Sequence, residues 1–99
     1  MIKHDLAIIR KAISAVSKEA TQFKNDQALT SVLAQLRYIE GVISGAEFDL
    51  SKLSRLAIGV TAVKMLAQEY PHLVDVLMDA DCVSKKYIKV YQLTHKSNK

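Results

Sequence analysis

The fourth predicted helix carries the side chains whose types and spacing could do chemistry. Asp75, Asp79 and Cys82 recur at i, i+4 and i+7, which places them on one helix face, away from the apolar stripe. Met78 borders this group. The ordinary interpretation is a solvated acidic face. The functional alternative is a docking surface, on which the bordering Val74 and Met78 give apolar contact and the two carboxylates select a basic partner.

Metal and enzyme chemistry require convergent residues that this pattern does not predict. Asp81 diverges from the face of Asp75 and Asp79, so the three carboxylates do not converge on an ion. Asp81 instead stands i, i+4 from Lys85, a pair that stabilises a helix by about 0.2–0.5 kcal/mol. The glycines form no phosphate loop, and the histidines are scattered at His4, His72 and His95. We therefore expect no catalytic residue, no metal, no cofactor and no enzymatic activity.

Two polar side chains of the second predicted helix are also candidates for contact with a partner. Glu40 falls at the edge of the apolar face, where a carboxylate needs a partner or water. The simplest account is a bond to Arg37 or to a neighbouring helix, and the alternative is contact with another molecule. Tyr38 points the other way; such a residue is boundary packing or a binding hot spot. The candidate partner-binding residues are then Tyr38, Asp75, Met78 and Asp79.

Length and composition predict one ordinary globular domain. The 99 residues are 49% apolar and 24% charged, as is typical of such a domain. The lone Cys82 excludes an internal disulfide framework and favours a reducing compartment. No apolar run approaches the ~20 residues of a membrane span, and the N-terminus lacks signal-peptide features. We therefore expect a cytoplasmic protein with no membrane partner.

The positive charge is concentrated at the C-terminal end. The net charge is +4, and five lysines lie within Lys85–Lys99. A basic end is usually solvated, but it leaves a second class of function open. In that class, the chain is a helical nucleic-acid or regulatory adaptor that binds through this end in a salt-sensitive way. We do not expect nucleic acid as the main partner.

Hydrophobic periodicity predicts four helices joined by short loops. The first spans residues 5–23 with Asp5 as its cap, and the second spans residues 27–44 with Asn25 or Asp26 as its cap. The fourth begins at Pro71 and runs to about residue 85. Beyond it, the alternation of β-branched, aromatic and polar residues in YIKVYQL, residues 87–93, fits either a helix or an extended strand. Since short loops favour antiparallel neighbours, we predict an all-α, compact antiparallel four-helix bundle. Residues 1–94 form a single helical domain, and residues 95–99 form a disordered basic tail.

The stretch from Asp49 to Tyr70 is predicted to be one long helix, with Asp49 as its cap and Phe48 packed just before it. Gly59 allows a close approach by another helix. The apolar residues of this helix are predicted to form a core face and a second, nearly opposite face. The core face is Leu53, Leu56, Ala57, Val60, Val63 and Ala67, and the second face, available for a homodimer, is Ile58, Ala62 and Met65.

Three blocks of residues carry a family resemblance. They are LRYIEGVI at Leu36–Ile43, RLAIGVTAVK at Arg55–Lys64, and the pair Asp79-Ala80 within VLMDADCV. With their spacing, they make residues 33–83 similar to the immunity proteins of type VI secretion systems that protect cells from an NAD(P)+-hydrolysing toxin. The N-terminal helix matches this family only in type, and the basic C-terminal end is individual to this chain.

The resemblance implies an all-helical, cytoplasmic, non-enzymatic protein that binds a toxin domain and blocks substrate access to its active site. The toxin would be an NAD(P)+ glycohydrolase. Related immunity proteins face toxins of other activities, such as contact-dependent inhibition nucleases, so a toxin of different chemistry remains the alternative. The matching blocks identify no contact residue.

Overall fold

Three long helices frame the fold, and a short one lies between the second and the last. The chain order in the computed structural model, which describes residues 2–96, is α1 (Ile2–Gln22), α2 (Gln27–Ser44), α3 (Ile58–Thr61) and α4 (Pro71–Lys96). No strand occurs within these described residues. The predicted all-α, four-helix architecture is therefore confirmed, although the third helix is far shorter than predicted.

The helical hairpin of α1 and α2 follows the local sequence signals closely. Asp26 caps α2, because its Oδ1 accepts hydrogen bonds from the backbone amides of Ala28 at 3.0 Å and Leu29 at 3.2 Å. Gly45 follows the last residue of α2 with φ 86°, the left-handed conformation that glycine adopts without strain. The predicted bounds of α2 are confirmed. Its Glu40 accepts from Arg10 Nε of α1 at 2.9 Å, as the simplest account of Glu40 predicts.

The hydrophobic core lies where α1, α2 and α4 meet, and the segment between α2 and α4 closes it. α2 contributes the apolar residues that recur every three or four positions on one face. The buried side chains include Ile9 and Val16 of α1, Leu29, Leu36 and Ile39 of α2, Leu73 and Leu77 of α4, and Leu53, Ile58 and Leu66 of the closing segment.

Polar contacts align α1 antiparallel to α4. Asp5, near the start of α1, is buried and accepts from Lys86 Nζ at 2.8 Å and from the Tyr87 hydroxyl at 2.9 Å. Glu19, near the end of α1, lies 3.1 Å from His72 at the start of α4. The prediction of Asp5 as a helix cap is wrong, because α1 begins at Ile2 and Asp5 lies inside it. The Lys86 ammonium holds the pKa of the Asp5 carboxyl below its usual range.

Helix α4 continues well past residue 85, where its predicted end lies. It extends to Lys96, so the alternation of β-branched, aromatic and polar residues after Lys86 is helical rather than extended. Tyr87, Ile88 and Tyr91 pack against the core, which stabilises this extension. Residues 95 and 96, which we predict as part of the tail, belong to α4, and residues 97–99 lie outside the described residues.

The middle segment, residues 46–70, is not the continuous helix that we predict. It contains a 3₁₀ turn (Leu53–Arg55), then an extended Leu56 with φ −66° and ψ 132°, then α3 and a π-helical turn (Ala62–Leu66). Asp49 caps no helix, because its carboxylate instead accepts from the amide and hydroxyl of Ser51. Phe48 does not pack against a helix; 89% of its surface is exposed.

The break at Leu56 reverses the faces that a continuous helix would present. Val60 and Val63, predicted to be core residues, are exposed, whereas Ile58 and Ala62 of the second face are fully buried. A helical phase counted from Leu50 therefore points the wrong side inward. Ile58 and Ala62 belong to the core and are not available for the predicted homodimer contact, whereas Met65, the third residue of that face, is exposed.

Candidate partner-binding surface

An open apolar groove of about 370 Å³ separates the middle segment from α4. Val60 and Val63 line it from the middle segment, and Met78 lines it from α4. Their exposed fractions are 56%, 58% and 36% respectively. Large aliphatic side chains this exposed and this close together form a patch that a partner can cover.

A second hollow, of about 260 Å³, adjoins the groove and shares Leu56 with it. Tyr38 of α2 lines this hollow with Lys52 and Arg55 of the middle segment. The groove and the hollow therefore lie against the same Leu56 side chain. Together their lining residues come from α2, the middle segment and α4.

Two side chains from the long helices hold the segment that forms this surface. Gln35 Oε1 of α2 accepts from the Ala57 amide at 2.6 Å, and Asp81 Oδ1 of α4 accepts from the Gly59 amide at 3.0 Å. These bonds satisfy backbone donors that a break in a helix leaves without a helical partner. They fix the start of α3 against both long helices.

Gly59 lies directly against Asp81 of α4. A Cβ atom added there would lie 2.7 Å from Cγ and Oδ2 of Asp81, closer than such atoms approach. The predicted role of Gly59 in a close helix approach is confirmed. The contact partner is a carboxylate rather than an apolar side chain.

Asp81 contacts both the start of α3 and Lys85 of its own helix, α4. Its Oδ2 lies 3.0 Å from Lys85 Nζ one turn further along α4, which confirms the predicted i, i+4 pair. The hydrogen bond and the charge of Asp81 raise the pKa of Lys85. Asp81 is buried, so it acts as a fixed acceptor inside the fold rather than as part of a solvated acidic face. Lys85 is exposed, which keeps its positive charge at the edge of the groove.

Tyr38 uses its hydroxyl within the fold. It donates to the Asp49 carbonyl at 2.6 Å and so fastens the loop after α2. Burial raises the pKa of Tyr38. The ring also lines the hollow, so one side chain supports the loop and contributes to the surface.

The four candidate residues from the sequence separate into two pairs. Met78 lines the groove and Tyr38 lines the hollow, and the two features meet at Leu56. Asp75 and Asp79 are exposed on α4 but line neither feature. Cys82 is an exposed free thiol on α4.

Sequence reasoning misses most of the residues that line this surface. It predicts Leu56, Val60 and Val63 in the core, and it does not single out the basic residues around them. The available signal is the apolar pattern on two faces of residues 50–67, since only one of the two faces can pack on a single core and the other needs a second neighbour.

Positive charge surrounds the groove and the hollow. Lys64 and Lys85 line the groove, and Lys52 and Arg55 line the hollow. Among the described residues that line the two features, only Asp81 carries a carboxylate, and Lys85 pairs with it. The electrostatic character is therefore opposite to that of the Asp75 and Asp79 face.

Metal-binding clusters and membrane-spanning helices do not occur in the part of the chain that the structure describes. Within residues 2–96, no group of three or more His, Cys, Asp or Glu residues is arranged to hold a metal ion. No helix in that range is long and apolar enough to cross a membrane.

The fold and this surface define a small all-α protein with a pre-formed apolar groove, and comparison with known proteins assigns its family. The family model described as Tsi6 matches residues 4–86. The chain is also similar to the solved structure of Tsi6 from Pseudomonas aeruginosa, with 30% sequence identity and a TM-score of 0.74 over 81% of this chain and 83% of that one. A search of curated proteins finds no significant match.

The chain belongs to the Tsi6 family of type VI secretion immunity proteins. The match extends over α1 as well as residues 33–83, so the family relation covers more of the chain than the three sequence blocks indicate. The block Arg55–Lys64, which carries much of the resemblance, is the segment that lines the groove.

Proposed function

We propose that this chain binds the toxin domain of a type VI effector, an NAD(P)+ glycohydrolase, and blocks access to its active site. Membership of the Tsi6 family is the observation that carries this proposal. In the proposed mechanism, the chain is not an enzyme and needs no cofactor. It acts in the cytoplasm, where the toxin would otherwise deplete the dinucleotide.

Inhibition of this kind depends on complementary surface rather than on reactive groups. A stable interface covers roughly 1,200–2,000 Å² in total and rests on a few well-packed anchors. The groove and the hollow together offer apolar side chains at the centre and charged side chains at the edge. This arrangement is typical of the core and the rim of protein interfaces.

The internal pairing of the basic end favours toxin binding over the adaptor hypothesis. Of the lysines expected to form a nucleic-acid surface, Lys85 pairs with Asp81 and Lys86 pairs with Asp5. Both ammonium groups therefore bond to carboxylates within the fold.

The test is co-expression with the toxin domain encoded immediately upstream, followed by co-purification and an NAD+ consumption assay. The toxin alone, and the toxin with an unrelated immunity protein, serve as the controls. The proposal predicts a stable complex and loss of NAD+ consumption only with this chain. A stable complex with a toxin that leaves NAD+ intact would retain the immunity role and replace the substrate. Failure to form a complex would contradict the proposal.

A further inference from the structure

We propose that the groove and the hollow are the toxin-docking surface, and that the toxin fills them with an apolar side chain flanked by carboxylates. This inference rests on the proposed function and specifies its partner chemistry. It differs from the prediction that Asp75 and Asp79 select a basic partner. The occupant is thus an acidic surface of the toxin domain with an apolar centre.

The apolar part of the argument comes from exposed aliphatic side chains. Val60, Val63 and Met78 come from two separate elements and line the same groove. Leaving them exposed is unfavourable, because each holds apolar area in water. A partner that inserts an apolar side chain between them would remove this area from water at the centre of the interface. Hot spots concentrate at such central positions.

The charge part of the argument comes from the rim. Lys52, Arg55, Lys64 and Lys85 give four positive charges, and Asp81 gives one negative charge. The lining therefore carries a net charge of about +3, most of the chain's +4. Carboxylates on the partner would complement this rim, accelerate association and exclude partners with basic surfaces.

The segment is also pre-organised for docking. Bonds from Gln35 and Asp81 hold the start of α3, and the π-helical turn Ala62–Leu66 presents Val63 to the groove. π-Helical turns are rare and occur frequently at functional sites. Because these bonds hold the backbone at the start of α3, binding avoids part of the cost of fixing a flexible loop.

Charge and lining also argue against two other occupants. A second copy of the chain would place its basic rim against an identical basic rim, and such like-charge contact opposes association. Single-stranded nucleic acid needs exposed aromatic faces on which bases stack. The groove lining contains no aromatic residue, and among the described residues that line the two features only Tyr38, in the hollow, is aromatic.

The first test replaces the apolar centre. Val63→Asp is compared with Leu93→Asp, because Leu93 is similarly exposed at 63% and lies outside the groove lining. Kd for the upstream-encoded toxin domain is measured by surface plasmon resonance. We expect Val63→Asp to raise Kd by about 30-fold or more, as for a central hot spot, and Leu93→Asp to change it less than about twofold. Thermal unfolding checks that both variants remain folded.

The second test reverses the rim and does not depend on the fold of the Val63 variant. Lys52→Glu with Lys64→Glu is compared with Lys11→Glu with Lys18→Glu on α1. Each double variant lowers the net charge from +4 to zero, so the pairs differ in where the charge changes. We expect the first pair to slow association about tenfold and to weaken its salt dependence, and the second pair to have little effect.

Each other outcome identifies a different error. Suppose that wild-type chain binds the toxin and that Val63→Asp and the Lys52→Glu, Lys64→Glu pair bind it equally well. If Asp75→Lys with Asp79→Lys then abolishes binding, the docking surface is the acidic face instead.

A dimer of the free chain that Val63→Asp dissociates, with toxin affinity unchanged, would make a second copy the occupant. Nucleic-acid binding lost only in Lys52→Glu with Lys64→Glu, with toxin affinity unchanged, would also overturn the inference. Failure of wild-type chain to bind would reject the proposed function itself.

Discussion

The hairpin of α1 and α2 and the middle segment both cover the same core, but by different means. The hairpin does so with regular apolar stripes, in which Leu29, Leu36 and Ile39 recur on one face. The middle segment contributes a few buried residues and relies on polar bonds from Gln35 and Asp81 to hold its broken backbone. Regular helices here provide stability, and the irregular segment provides the exposed apolar groove.

The largest expected change in stability tests the hairpin of α1 and α2. Leu36→Ala removes a fully buried side chain of α2 and leaves a cavity. We expect a loss of about 2–5 kcal/mol in the free energy of unfolding. Urea denaturation followed by circular dichroism measures it. A loss below about 1 kcal/mol, outside the usual range for such a cavity, would show that the hairpin does not dominate stability.

Asp5 is a buried polar residue within the hairpin of α1 and α2. Asp5→Asn removes charge-assisted hydrogen bonds to Lys86 and Tyr87, and we expect a loss of about 1.5–3 kcal/mol at pH 7. The folded-state pKa of Asp5 is lowered, so its contribution is present above the unfolded-state pKa of about 3.9. It is lost as the pH falls from about 4 through the folded-state pKa, because the unfolded chain takes up the proton first.

Denaturation at several pH values on both sides of the unfolded-state pKa checks this prediction. The amide that replaces the carboxylate cannot titrate, so Asp5→Asn is expected to give a flatter decline of stability in acid than the wild-type chain. Equal pH slopes for the two proteins would contradict the assignment of the acid sensitivity to Asp5.

Gly59→Ala tests the close contact between Gly59 of α3 and Asp81 of α4. The new Cβ would collide with the Asp81 carboxylate, and we expect a loss of about 1–3 kcal/mol. The double variant with Asp81→Ala relieves the collision, so its loss should be smaller than the sum of the single losses. Gly41→Ala is the comparison, since its Cβ would lie 3.1 Å from the Glu47 Cβ, a tight contact that a loop residue can relieve, and we expect a smaller loss there. Additive losses would contradict a direct contact.

Tyr38→Phe separates the two roles of Tyr38. It removes the bond to the Asp49 carbonyl but keeps the ring in the hollow. We expect a loss of about 0.5–1.5 kcal/mol in stability, as for one hydrogen bond, with faster amide exchange around Asp49. Toxin affinity should change little. A large loss of affinity with unchanged stability would assign the hydroxyl to the partner instead.

Val63→Ala has the smallest expected effect on stability and contrasts most sharply with Leu36→Ala. Val63 is exposed, and we expect a change within about 0.5 kcal/mol. If Val63 were a core residue, as the continuous helix predicts, the loss in the free energy of unfolding would be several times larger. Denaturant titration of the two variants side by side distinguishes the two placements.

Prediction from the sequence is accurate where local signals and periodicity agree. In α2, Asp26, the apolar stripe and Gly45 all indicate the same bounds, and the structure confirms them. Pro71 likewise marks the start of α4. The end of α4 is missed, because its last turns depend on the packing of Tyr87 and Tyr91 against the core, which local propensity does not reveal.

The middle segment and its surface could not be predicted, because tertiary contacts decide them. The residues around Leu56 are helix-compatible, and nothing local indicates that Gln35, 22 positions away, will accept from the Ala57 amide. One extended residue there resets the helical phase and exchanges core and surface in the residues that follow. The sequence identifies Met78 and Tyr38 as surface candidates, but their link through Leu56 depends on this break.

The central claim is that the irregular segment is the surface on which the toxin docks. Amide hydrogen exchange by mass spectrometry, with and without the upstream-encoded toxin domain, tests it most directly. We predict slower exchange in the complex over residues 52–64 and around Met78, with unchanged exchange over the outer face of α1. Protection confined to α1, or to α4 without the middle segment, would contradict the claim.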